Sequence, residues 1–374
     1  MTASSSRGLL HLAAAVDQPS VYAAAAAYTE QVRLAERGGL DFVTLGDGFG
    51  CPGPDALAVL ARVAPETGRI GLVPVVTTTH TEPFHVQTAV ATLDWVSRGR
   101  AGWWLDVSSG EDEARLFGRR PAAGADALWR EAGEVADVAA RLWDSWADGG
   151  GPPDAAPGRP GARGGRHRVD FTGATFSVRG PSVLPRPPQG HPVRVVDATE
   201  RPARQTAARY ADVALVRAAD GARAAAVRAE LRSAAARYGR DPDTLRILAS
   251  LVVDLGGGEP AVAAGWGSTL PGRDRETGRR AGTGPGADAR GPLYRGGPVD
   301  LARLIAAWHA ESTVDGFHLV PAEPHRDLER LVNGTVVLLQ HHGLFRTFYP
   351  GSTLREHLGL ARPANRYEAA GGGS

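Results

Sequence analysis

The residues able to do chemistry in this sequence stand just behind its short apolar runs. Asp47 follows the second run, in LGDGFG. Thr77, Thr78, Thr79 and His80 follow the third. Trp104, Asp106, Ser108 and Ser109 lie in or after the fourth, in GWWLDVSS. Asp197, Thr199, Glu200 and Arg201 follow the fifth, in VDATERPARQ, and Pro321 and Glu323 follow the last. Together they offer hydroxyls, indole and carboxylates. They form no metal set, because Asp47 and His80 lack a third ligand at fixed spacing. They form no hydrolase signature either: G-x-S-x-G and H-E-x-x-H are absent. No catalytic residue can be singled out on these grounds.

Each candidate has a plainer reading. Asp47 also suits a turn before Gly48. Thr77 to Thr79 also suit a strand, being β-branched, and Trp104 also suits a core. His341 and His342 read as flanking a helix C-terminus. His85, His309 and His318 read as packing residues.

The elements that must position these residues alternate along the chain. Strands are predicted over 9–16, 42–45, 70–76, 101–107, 193–197, 213–216, 245–255 and 316–320. Helices are predicted over 21–37, 55–63, 83–97, 125–146, 202–210, 222–238, 299–311 and 326–342, with Ser20 as the first N-cap and Gly38 as the first stop. Parallel strands need crossover helices, and eight strand–helix units close a (β/α)8 barrel of the α/β class. A doubly wound sheet would carry G-x-G-x-x-G after its first strand, and AVDQPSVY there has no Gly. The expectation is one TIM barrel domain over 1–374, with its site at the C-terminal ends of the strands. Insertions are expected at 148–166, where 11 of 19 residues are Gly or Pro, and at 271–298. Either could be a mobile connection or an active-site lid.

Composition removes several functions. All 42 basic residues are Arg. Without Lys there is no P-loop and no Schiff-base or pyridoxal-phosphate chemistry. The net charge of +1 gives no field to recruit nucleic acid. The single Cys51 excludes an intrachain disulfide and a cysteine zinc site. The apolar stretch 8–16 is short and runs straight into DQPS, unlike a secretory signal, and no run approaches a membrane span. A cytoplasmic protein is expected.

Longer motifs carry a family resemblance. The stretch RIGLVPVVTTTHTEPFHVQTAVATLDWVSRGRAGWWLDVSS resembles the third-to-fourth-strand region of bacterial luciferase-like flavin-dependent monooxygenases. The similar branch holds the nitrilotriacetate and dibenzothiophene-sulfone monooxygenases and the pristinamycin synthase oxygenase subunit. The blocks ARLWDSW, FSVRGPSVLPRPPQGHPV, VDGFHLVP and HGLFRTFYPGSTLREHLGLARPANRY agree, in family order and across most of the chain.

The resemblance implies a barrel using reduced FMN from a separate flavin reductase, with O2 as co-substrate, to oxygenate a small organic molecule. The cofactor would do the chemistry, and the protein would orient it and exclude water. It implies a homodimer or higher homo-oligomer, while the charge and the lack of a long apolar run lead to the expectation of no nucleic-acid or membrane partner. Carried over residue by residue, it points to Asp47, Thr77 and Thr78 beside the flavin. Trp104 stands where the family has Asn, and Trp129 where it has Tyr. Leu128 and Glu131 replace Arg positions beside it. Thr199, with Arg201 and Arg204, falls at the turn that holds the FMN phosphate. That turn departs from the family's small-residue pattern: Ala198 replaces Gly, and Asp197 and Glu200 bring negative charge. Two unit charges about 5 Å apart repel by roughly 3 kcal/mol at an effective dielectric of about 20. Two further readings therefore stand beside the first. One is a deazaflavin-dependent oxidoreductase on the same barrel. The other is a flavin-free barrel acting as a partner or binding subunit.

Overall fold

A computed structural model describes residues 8–18, 20, 23–148, 166–256, 265–267 and 291–369. Eight parallel strands pair in chain order: β1 (His11–Ala15), β2 (Phe42–Leu45), β3 (Gly71–Thr77), β4 (Gly102–Asp106), β5 (Val193–Asp197), β6 (Val213–Val216), β7 (Arg246–Asp254) and β8 (Gly316–Pro321). Pairing of β8 with β1, in the register His11↔Gly316, closes the sheet into the expected barrel. Closure is tight there. A Cβ on Gly316 would collide with the His11 carbonyl, so only glycine fits.

A helix follows each strand: α1 (Ala25–Arg37), α2 (Ala56–Val63), α3 (Pro83–Val96), α4 (Ala125–Asp144), α5 (Arg201–Tyr210), α6 (Gly221–Arg237), α7 (Pro298–Ala310) and a last helical stretch, α8 (Pro324–Arg330) continuing to Val337–His341. The last contains a wide π-type turn over Leu331–Val336. In α4 the buried residues Trp129, Ala132, Val135, Ala136, Ala139 and Trp143 recur at helical spacing and pack into the main core. Asp55 caps α2 by accepting from the Ala58 amide. Ser20 does not cap α1, which starts at Ala25 behind Ala24, with no side-chain cap. Propensity favours the alanine-rich run there but does not mark its first turn.

Of the two expected insertions, 149–165 and 271–290 lie outside the described residues. Part of the second is not loop: Leu293–Arg295 forms a strand beside the end of β7 and pairs with Gly265–Gly267. A hairpin, Asp170–Thr172 with Ser177–Arg179, lies between α4 and β5.

The lower, N-terminal end of the barrel is closed by the C-terminal block. Its short helix Leu354–His357 brings Leu354 and Leu358 against the lumen residues Phe42, Val73, Val193 and Leu248. Buried ion pairs hold it there: Arg355 to Asp212 at 3.0 Å, and Arg346 to Asp41 at 2.8 Å. Burial alone would raise both carboxyls. At Asp41 the neighbouring Arg346 and His11 outweigh it and hold the carboxyl below its ordinary value, and Arg355 and Arg194 do the same at Asp212. The floor is sealed, so the open end is the C-terminal one.

Candidate active site

A cavity of about 690 Å³ opens at the C-terminal ends of the strands, within the roughly 300–1,000 Å³ of small-molecule sites. Alternation along the strands aims Thr44 of β2, Trp104 of β4, Ser250 of β7 and His318 of β8 into it. Residues just past strand ends complete the wall: Asp17 after β1, Asp47 after β2 and Arg217 after β6. Trp129 reaches it from α4, whose backbone is tied to α5 by Thr206 Oγ1 donating to the Trp129 carbonyl at 2.7 Å.

Asp47, Trp104, Trp129 and Thr199 thus share one cavity, with Asp106, Asp197, Glu200 and Pro321 from the wider set of candidates. Thr77, Thr78 and Arg201 do not line it. Thr77 is buried, and Thr78 donates its hydroxyl to the Asp106 carbonyl at 2.9 Å. Arg201 is exposed on the first turn of α5, in an outer groove with Arg209 and Tyr210. Arg204 does not face the cavity with its charge either. Its guanidinium donates to the Ala198 and Thr199 carbonyls at 3.2 and 3.0 Å and pairs with Glu230 at 2.6 Å. Sequence reasoning missed Asp17, Thr44, Arg217 and Ser250. Arg217 directly follows the sixth apolar run, so the rule that found Asp197 could have found it.

The turn after β5 is satisfied from within. Asp197 accepts from the Thr199 amide at 2.9 Å and pairs with Arg217 at 2.6 Å. The Thr199 hydroxyl accepts from the Arg217 amide at 2.9 Å. Glu200, the residue before α5, makes no side-chain cap, and Pro202 brings no N–H to the first turn.

Among the described residues the charged lining is five carboxylates, Asp17, Asp47, Asp106, Asp197 and Glu200, against the single cation Arg217. Burial pushes Asp106 up to about 6, helped by the nearby charges of Asp197 and Glu113 and opposed by Arg217. Burial also raises Asp47, although the Ala56 and Gly48 amides donate to it at 2.9 and 2.7 Å. The Cys51 thiol is raised by burial and by the carboxylates around it.

The cavity floor is a hydrogen-bonded chain across the lumen. His318 Nε2 meets Thr44 Oγ1 at 2.8 Å, and its Nδ1 meets Ser250 Oγ at 2.9 Å. Burial, with Arg217 nearby, drives this imidazole down to about 3, so it is neutral and a weak base. The Ser250–His318 pair therefore lacks the basicity that activates a nucleophile. His318 also meets Trp104 edge-on, with ring centroids 5.8 Å apart, and fixes the indole's place. At the rim, Glu113 joins two loops by accepting from the Ser108 hydroxyl and, at 3.0 Å, from the Gly50 amide. His80 beside them has a left-handed backbone (φ 64°) and stacks on Phe117 at 5.1 Å. Among the described residues the lining can bind, orient and exclude water, and it has no activated nucleophile.

Known proteins are similar to this chain. Residues 7–264 match the family described as luciferase-like monooxygenase. The chain is 32% identical to nitrilotriacetate monooxygenase component A of Aminobacter aminovorans, over 90% of each chain. It is 28% identical to dibenzothiophene-sulfone monooxygenase of Rhodococcus erythropolis, again over 90% of each. The solved structure of an EDTA monooxygenase from Chelativorans sp. BNC1 superposes with a TM-score of 0.78 at 22% identity, covering 95% of this chain and 99% of that one. At that identity the likeness is one of fold.

Proposed function

Because this chain belongs to the luciferase-like monooxygenase family and is an oxidoreductase of that class, we propose that it is the oxygenase component of a two-component flavin system. A separate flavin reductase supplies reduced flavin, O2 is the co-substrate, and a small organic molecule is oxygenated. When bound, the flavin supplies two electrons, so that one oxygen atom enters the substrate and the other leaves as water. The relative named as a "component A" supports a divided system. We place it in the cytoplasm as a homodimer or higher homo-oligomer. Among the described residues no helix is long and apolar enough to cross a membrane.

One observation carries this reading: a cavity at the catalytic end of a closed barrel, walled by the indoles of Trp104 and Trp129. Indole faces suit a flat, conjugated ring system. Asp47 and Thr199 offer polar edges. Thr77 and Thr78 support the wall from behind through the Thr78 contact to Asp106. The neutral chain Thr44–His318–Ser250 keeps the floor rigid without adding charge. The fit holds for the flavin ring and fails for the FMN phosphate: Arg217 is engaged by Asp197, Arg204 is turned to carbonyls, and Arg201 stands off the cavity.

Anaerobic titration with reduced flavin, followed by its absorbance, tests the reading. Saturable binding is expected. A dissociation constant above about 1 mM for every flavin, about 4 kcal/mol of affinity, would overturn it.

A further inference from the structure

We propose that this cavity selects against the phosphate of its flavin and takes riboflavin in preference to FMN; the inference rests on the cavity being the flavin site. The argument begins with charge. A ligand in the cavity meets a lining that holds Asp17, Asp47, Asp106, Asp197 and Glu200, with Arg217 as the only cation among the described residues. A phosphate monoester is close to a dianion at neutral pH. Riboflavin differs from FMN by that group alone, so the two share every contact of the ring and differ in the charge brought into a carboxylate-lined space.

Hydrogen bonding agrees with charge. A phosphate at a barrel rim is held by backbone N–H groups, hydroxyls and guanidinium forks. At the turn after β5 most of these groups already have partners, and Arg217 Nε is a buried guanidinium donor there without one among the described residues. The Thr199 amide donates to Asp197, the Thr199 hydroxyl accepts from the Arg217 amide, and the Arg217 guanidinium pairs with Asp197 at 2.6 Å. The Arg204 guanidinium faces outward to Ala198, Thr199 and Glu230. A phosphate would have to break the Asp197–Arg217 pair and leave a carboxylate beside itself. The Cys51 thiol is raised first by burial and further by Glu113, Asp47, Asp106 and Asp17.

The test uses the full chain, titrated with riboflavin and with FMN and followed by flavin fluorescence and calorimetry. At about 10 mM salt, where charges act over tens of ångströms, riboflavin should bind at least about tenfold tighter than FMN. The ratio should shrink at about 150 mM salt. Glu200→Gln, at an exposed rim position, and Asp197→Asn should each tighten FMN severalfold relative to riboflavin. FMN binding as tightly as riboflavin or tighter, in the unaltered chain at low salt, overturns the proposal and leaves the flavin reading standing. Failure of both flavins to bind overturns that reading, and the proposal with it.

Discussion

Arg217 Nη2 lies 2.6 Å from Asp197 Oδ2, joining the residue after β6 to the last residue of β5 across the cavity rim. Among the described residues the pair uses the only cation in the lining and holds one of its five carboxylates. Arg217→Gln leaves Asp197 without its partner and removes a charge that lowers Asp106. The variant should lose about 1–2 kcal/mol of stability by urea denaturation, as expected for a partly buried pair. Its FMN affinity should fall more than its riboflavin affinity.

Asp106 gives a pH signature. Its carboxyl is raised from 3.8 to about 6 on folding. Between those values the folded state binds more protons than the unfolded one, so this group makes stability fall as pH rises through the interval. Asp106→Asn should therefore stabilise the protein at neutral pH, by on the order of 1 kcal/mol, and change little below about pH 4. Asp94, raised to about 6 by burial although Gln189 donates to it, acts in the same direction and persists in the variant. Denaturation midpoints across pH would show the difference.

His318 has the opposite acid behaviour. Its folded pKa is pushed from 6.5 down to about 3. Below its ordinary value the unfolded chain takes a proton that the folded chain refuses, so its contribution weakens stability as pH falls toward about 3. Its ring resonances should not titrate between about pH 5 and 8 by NMR. His318→Ala strands the Thr44 and Ser250 hydroxyls and empties the floor, at a cost of about 3 kcal/mol. A freely titrating signal would contradict the buried chain.

The indole walls should matter for the ring and not for the phosphate. Trp129→Ala is expected to weaken riboflavin and FMN alike, by about tenfold, the scale of one lost aromatic contact. Equal affinities in variant and parent would move the ring elsewhere in the cavity.

The floor plug separates stability from binding. Leu354 is fully buried against the lumen, near Gly71 and Gly102 at the starts of β3 and β4. Leu354→Ala should cost about 2–5 kcal/mol by thermal or urea unfolding. The ratio of riboflavin to FMN affinity should stay constant, because the plug lies at the opposite end of the barrel.

Local signals in the sequence were enough to determine the barrel. Apolar runs of strand length, helical spacing in segments such as 125–146, and stops such as Gly38 act within a few residues of themselves, so eight units could be counted before any contact was known. Reading the residues behind each run also placed Asp47, Trp104 and Thr199 on one mouth. The short strand Leu293–Arg295 was not legible, because a three-residue strand exists only through its pairing with β7. The charge balance of the mouth was decided by tertiary structure alone. Whether Asp197 stands bare or beside Arg217 depends on the register of β5 against β6, and whether His318 is a base or an inert strut depends on Thr44 and Ser250 meeting it across the lumen. Partners 274 and 68 residues away carry no mark in the local sequence, yet burial beside them sets the charge of the imidazole.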